Sequence, residues 1–198
     1  MQKQTLRPGR RKHHIFIVIV LAFPSRSGLH LEMVQFPLPV PRRISDILVF
    51  GTGEAGELGL GPAVYETDTP RLNNHLTRQN PAAFSVVQIE CGGMHSVAVS
   101  GHGQIVTWGC NDDGALGRNT TWNPPMQSID DSEDEGNVQQ NPLESTPTAI
   151  PAASLLGATE FASVAAGDSC TFALTTRGNV YGWGTFVVRL LFSVSACF

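Results

Sequence analysis

Four cysteines in 198 residues, none in a CxxC pair, give no disulfide framework. A reduced, intracellular setting fits them, with Cys91, Cys110 and Cys170 expected as small buried side chains. The six histidines show neither HExxH nor any paired-ligand spacing, so no metal centre is expected. Gly51-Thr52-Gly53 is followed by no Walker lysine, and no GxSxG is present, which removes phosphate-loop and serine-hydrolase chemistry. The longest apolar run, Ile15 to Phe23, is nine residues and too short to span a bilayer, so stable membrane insertion is not expected. A net charge of −4 argues against a nucleic-acid surface spread over the chain. Nothing repeats with helical periodicity over several turns.

What is abundant is punctuation. Twenty Gly and thirteen Pro recur at strand-and-turn spacing. The segment Phe50-Gly51-Thr52-Gly53-Glu54-Ala55-Gly56-Glu57-Leu58-Gly59 aligns without a gap on Trp108 to Gly117, an offset of 58. Val86 to Gly109 aligns on Phe161 to Gly184 at a constant offset of 75, matching Gly92/Gly167, Ala98/Ala173, Gly103/Gly178 and Trp108/Trp183. Two independent registers make an internal repeat. Each unit reads as a strand (Ser96–Val99, Thr171–Leu174), a glycine turn (Gly101–Gly103, Arg177–Asn179) and a second strand ending in aromatic-glycine (Ile105–Trp108, Val180–Trp183). Hairpins at this period predict an all-β fold, a β-propeller of which the chain holds a partial, unclosed set of about two to three blades.

Three regions fall outside the repeat. Residues 1–44 are an atypical leader, basic at Arg7, Arg10, Arg11 and Lys12 and then apolar. It has the outline of a secretory signal but a poor cleavage site, and reads otherwise as a disordered segment or a mispredicted start. Residues 45–186 carry the blades. Within them 123–147, with Asp130 to Glu135 and several Pro and Asn, is expected to be a solvated acidic insertion. Residues 187–198 are an apolar tail without repeat signal, as a read-through or truncated gene model would leave, or a real short isoform.

Gly92-Gly93-Met94-His95-Ser96 and Gly109 to Arg118, followed in order by Ala166-Gly167-Asp168-Ser169-Cys170 and Tyr181 to Phe186, closely resemble the regulator-of-chromosome-condensation family. The acidic insertion followed by Leu143 to Pro147 is similar to its fungal members, and the resemblance spans Ser45 to Phe186. It implies a seven-bladed propeller acting on chromatin in the nucleus (or in the cytoplasm) as guanine-nucleotide exchange factor for the Ran-type small GTPase. That is a regulator and not an enzyme, with no cofactor and no small-molecule substrate. In the full-length form chromatin or histones are further expected partners. The resemblance also implies GTPase-binding residues: Asp168, Glu54, Ser169 and His95. Each has an ordinary reading too. Asp168 can cap its turn through the Ser169 or Cys170 amide, Glu54 can be a solvated turn charge, and His95 can be a hydrogen-bonded structural histidine between blades. Cys170 stands where the family has a histidine. After Phe186 the family continues with an Arg and a polar wedge loop that this chain replaces with Val187-Val188-Arg189-Leu190. The chain alone is therefore expected to be weak or inactive in exchange. A propeller scaffold without exchange activity is the alternative.

Overall fold

The computed structural model describes residues 17–22, 43–124, 139–155, 160–188 and 192–195, without side chains for 17–22, 187–188 and 192–195. These residues form three antiparallel sheets. The first holds β1 (Ile17–Ala22), β2 (Ser45–Thr52) and β3 (Glu66–Leu72) in that order. The second runs β4 (Val86–Cys91), β5 (His95–Ser100), β6 (Ile105–Gly109) and β7 (Thr148–Ala149). The third runs β8 (Phe161–Ala166), β9 (Cys170–Thr175), β10 (Val180–Val188) and β11 (Phe192–Ser195).

The 75-residue offset holds pair by pair. Ser96 faces Trp108 across β5–β6, and Thr171 faces Trp183 across β9–β10. β4–β5 shifts register between Val86 and Gln88, and β8–β9 shifts at the equivalent place, between Phe161 and Ser163. The hairpin turns match as well. Gly103 and Gly178 both take positive φ (72° and 88°) and donate to Ser100 and Thr175 carbonyls. These are blades of a partial propeller, and the described sheets do not close on themselves.

What holds one blade to the next is also repeated. The Trp108 indole Nε1 donates to the Glu57 carbonyl at 2.9 Å, and Trp183 Nε1 donates to the Ala115 carbonyl at 2.8 Å. Glu57 and Ala115 are equivalent under the 58-residue offset, so each tryptophan enters the glycine loop of the preceding blade. The floor of that slot must be glycine. A Cβ on Gly59 would lie 2.8 Å from the Trp108 indole, and one on Gly117 would lie 2.9 Å from that of Trp183. Both glycines also take left-handed backbone, φ 63° and 64°. Around each tryptophan lies an apolar layer. Ile47, Val49, Leu58, Val86, Ala98 and Val106 surround Trp108, while Val97, Val99, Ile105, Phe161, Val164 and Ala173 join Trp183. Gln88 adds a polar clamp, its amide exchanging two hydrogen bonds with the Val164 backbone (2.9 and 3.2 Å).

Several segments differ from their sequence reading. Ile17–Ala22, in the leader, pairs with β2 in the place β5 takes beside β6, with Ala22 opposite Ser45. A β-branched run is well suited to cover a strand edge that would otherwise be unpaired. The rest of the leader, including Arg7 to Lys12, lies outside the described residues. In the tail, Val187 and Val188 continue β10 and pair with Ser193 and Phe192.

The acidic run Asp130–Glu135 is likewise outside the described residues, but the C-terminal end of the expected insertion is packed. Gln140 and Ser145 are buried, and the short helix α1 (Pro142–Ser145), capped by Asn141, sits on Gly56, where a Cβ would meet the Ser145 backbone at 2.7 Å. Its Pro and Ser residues read as loop, yet Ser145 packs on the first blade's glycine loop and its carbonyl accepts there from Gly61 N (2.9 Å). The expected burial of cysteine is corrected too. Cys91 is exposed at the end of the edge strand β4, and Cys110 and Cys170 are half-buried. Desolvation raises the Cys91 pKa and pushes that of Cys110 up to about 11.

Denaturant unfolding checks the slot. Trp108→Ala should lose about 3–5 kcal/mol, as for other buried aromatics. Trp183→Phe, which removes the indole donor and part of the ring but keeps an aromatic in the slot, should lose less, about 1–2 kcal/mol. Gly59→Ala should resemble the first variant more than the second, because backbone and indole both resist the added carbon.

Candidate functional site

Each blade turns back at one end through a short loop: Gly92–Met94 between β4 and β5, and Gly167–Ser169 between β8 and β9. The glycine loops that receive the tryptophans, Gly53–Gly59 and Asn111–Gly117, open at that same end. All four residues singled out by the resemblance therefore lie at one end of the sheets. Asp168 and Glu54 are exposed, Ser169 is half-buried and His95 is 3% exposed.

The structure brings His95, Asp168 and Ser169 together. The Gly93 N–H donates to the Asp168 carbonyl at 3.2 Å, so equivalent loops of successive blades stack. A Cβ on Gly93 would strike the Asp168 carboxylate, and one on Gly92 would strike His95 and the Gly167 carbonyl, so both glycines are needed for this approach. Among the described residues the Asp168 carboxylate accepts no hydrogen bond, and the expected cap to Ser169 or Cys170 amide is not formed. Its charge acts instead on His95. Ser169 contributes its carbonyl, which accepts from Thr185 N at 2.9 Å. Glu54 is apart from these three. It sits in the first blade's loop, where its carbonyl accepts from Gln140 Nε2 at 3.2 Å.

His95 joins a buried relay. Its Nε2 lies 2.8 Å from Thr171 Oγ1, and Thr171 Oγ1 lies 3.0 Å from the Ala115 carbonyl that also receives Trp183. A carbonyl only accepts, so the Thr171 hydroxyl donates its one proton there and accepts from His95, which must carry its proton on Nε2. Burial lowers the His95 pKa from 6.5, and the nearby Asp168 carboxylate opposes that only in part. Thr171 and the Ala115 carbonyl were invisible as site partners in the sequence. The 75-residue offset that equates Thr171 with Ser96, a second small hydroxyl at a buried position, was the available signal. Met94, 51% exposed beside Asp168, is the other feature that motif reading left without a role.

The sign of the histidine effect follows from linkage. A folded-state pKa below the unfolded value means the unfolded chain binds the extra proton, so stability falls as pH drops below about 6.5 and levels off once His95 protonates in the folded state too. Denaturant midpoints measured from about pH 7.5 down to about pH 5.5 should decline for the wild type, and His95→Gln, which keeps a donor toward Thr171, should flatten most of that decline. An unchanged slope in the variant would assign the pH dependence to other groups.

Comparison with known proteins agrees with the partial-propeller fold. Residues 45–99 and 102–174 match the regulator of chromosome condensation (RCC1) repeat. The chain is 41% identical over 150 residues to the guanine nucleotide exchange factor SRM1 of Saccharomyces cerevisiae, a match covering 71% of this chain and 30% of that relative. It is 38% identical over 140 residues to the human regulator of chromosome condensation, covering 71% of this chain and 26% of the relative. Among solved structures, the crystal structure of Prp20p from Saccharomyces cerevisiae, described with its binding to Gsp1p and histones, superposes with a TM-score of 0.56 at 38% identity. That superposition covers 73% of this chain and 30% of Prp20p. Yeast RCC1 (Prp20) bound to Kap60 gives a TM-score of 0.60 at 31% identity, over 96% of this chain and 37% of that one. The chain thus spans about a third or less of the length of the curated relatives it matches. Matched over more than half its residues, the chain belongs to the regulator-of-chromosome-condensation repeat family.

Proposed function

We propose that this chain supplies blades of a nuclear guanine-nucleotide exchange factor for a Ran-type small GTPase, and that its loop end is part of the GTPase-binding surface. The observation that carries this reading is the stacking of Gly92–Met94 on Gly167–Ser169, with exposed Asp168 and Met94 at the surface and the His95–Thr171 relay beneath them. Similarity to a named exchange factor over 71% of the chain supports it.

Exchange needs no nucleophile or general base. A factor that binds the nucleotide-free GTPase more tightly than the loaded form weakens nucleotide binding by the same ratio. What the factor must supply is a set of loops held rigidly enough to displace the nucleotide-binding elements. Here the loops are pinned from below by Trp183 and Thr171 on the Ala115 carbonyl, so they meet a partner with little ordering left to do. Asp168 and Glu54 place negative charge at that end, which steers a basic partner and competes with phosphate for it. Ser169 holds the backbone of the Asp168 loop, and His95 fixes one blade to the next.

A second reading, a binding module without exchange activity, is favoured by one observation. Where the resemblance has a polar wedge loop, β10 runs on through Val188 as strand. Release of a fluorescent GDP analogue from a Ran-type GTPase separates the two. This chain alone should change the rate by less than about twofold. A version completed with a relative's remaining blades should accelerate it, and Asp168→Ala in that version should remove about tenfold, the loss of one central contact. No acceleration by the completed version overturns the exchange reading. Equal affinity for empty and GDP-loaded GTPase would establish the binding module instead.

A further inference from the structure

The two stacked loops differ in chemistry at equivalent positions. Under the 75-residue offset Gly93-Met94 answers to Asp168-Ser169. Each loop is held to its own blade in the same way: the Met94 carbonyl accepts from Cys110 N and the Ser169 carbonyl from Thr185 N, both at 2.9 Å. One loop thus carries a long apolar side chain and no charge, and the next a carboxylate without apolar reach. Stacking unites them. A Cβ on Gly93 would strike Asp168 Oδ1, so that oxygen lies against the Gly93 backbone, one residue from Met94. Neither side chain is used by the fold. Met94 is 51% exposed, and among the described residues the Asp168 carboxylate accepts no hydrogen bond and pairs with no Lys or Arg. The ionisable group that feels its charge is His95, which burial holds neutral at pH 7, so that charge stays available to a partner.

We propose that Met94 and Asp168 together receive one long basic side chain of the partner, its charged head on the carboxylate and its hydrocarbon stem along the Met94 thioether. This rests on the partner-binding reading above and names the chemistry it uses. Lysine and arginine lay their stems on apolar surface while the head stays at a polar site, and a flexible thioether adapts to such a stem. A carboxylate with both oxygens free takes either an ammonium or the guanidinium fork. An exposed ion pair by itself is worth little, so the stem on Met94 makes the contact discriminating. Diffuse steering by negative charge would need no Met94 at all. Gly93 is the joint of the site, because a side chain there would push the carboxylate away from the methionine.

Equilibrium binding of a nucleotide-free Ran-type GTPase to the ring-completed version tests this. Asp168→Asn should weaken binding about tenfold and lower its salt dependence. Met94→Ala should weaken it about fivefold with the salt dependence unchanged, and Met94→Leu should retain most of the affinity. The double variant should lose less than the product of the two single effects, because one side chain uses both residues. Replacing the GTPase's exposed Lys and Arg by Ala one at a time should find one whose loss costs nothing further in either variant. Wild-type affinity in Met94→Ala, fully multiplicative effects, or coupling to Asp168 spread over several basic residues overturns the proposal and leaves the exchange reading standing. A second measurement needs no GTPase. In the full chain labelled at its methionine methyls, N-acetylarginine amide should shift the Met94 resonance at least about twice as far as N-acetylalanine amide, and Asp168→Asn should abolish the difference. Should the completed version bind no GTPase, the exchange reading fails and this titration decides the site by itself: equal shifts with the two amides overturn it.

Discussion

The arrangement depends on an indole lying over a glycine. Trp108 and Trp183 each fill a slot whose floor, Gly59 or Gly117, must lack a side chain for two reasons at once: left-handed backbone, and an aromatic ring where Cβ would stand. The apolar ring supplies the burial and its single N–H fixes the depth, because a buried donor must find its carbonyl. A blade therefore has one position relative to its neighbour. Sheets joined by apolar burial alone could slide along each other; these cannot without stranding a donor.

That constraint passes upward into the loops. The Ala115 carbonyl that receives Trp183 also receives Thr171, and Thr171 receives His95, so the residues beneath the Gly92–Met94 and Gly167–Ser169 loops are tied to the same atom that ties the blades. A propeller can present a precise surface on short loops because the rigid part lies directly below them. Gly92 and Gly93 complete this, letting one loop lie on the next closely enough for a backbone hydrogen bond. The buried histidine is polar and titratable in a place that favours neither, which makes the relay a specifier of geometry more than a source of stability.

Hairpins were legible because a glycine turn between alternating strands is a local signal, and the 75-residue offset equates the positions at which the structure repeats a register shift, Val86/Gln88 and Phe161/Ser163. The glycine loops were legible as a pattern, though not as sockets. Nothing in Gly56-Glu57-Leu58-Gly59 says that an indole 49 residues beyond Gly59 will lie on it. The segment from Gln140 to Pro147 was read as solvated on composition, which counts Pro, Asn and Ser as loop formers and cannot see that their backbone fills a groove beside Gly56. Cys91 misled in the other direction. Its small apolar character suggested burial, but Cys91 ends the edge strand β4, whose buried position is at its other end, at Val86. For the candidate site, position was readable and contact was not: Asp168, Ser169 and His95 meet, while Glu54 stands two blades away from Asp168.

By itself the sequence determined that this chain is all-β, built of repeated hairpins ending in aromatic-glycine, and which residues of one repeat answer to those of the next. These properties are carried by near neighbours, through φ preferences and alternation, and survive without knowledge of what packs on what. Only the tertiary structure decided which carbonyl each indole reaches, which tautomer His95 holds, and that Ile17–Ala22 lies along β2. Those outcomes join atoms distant in sequence, and each is settled by whether a buried donor finds an acceptor once the sheets are stacked.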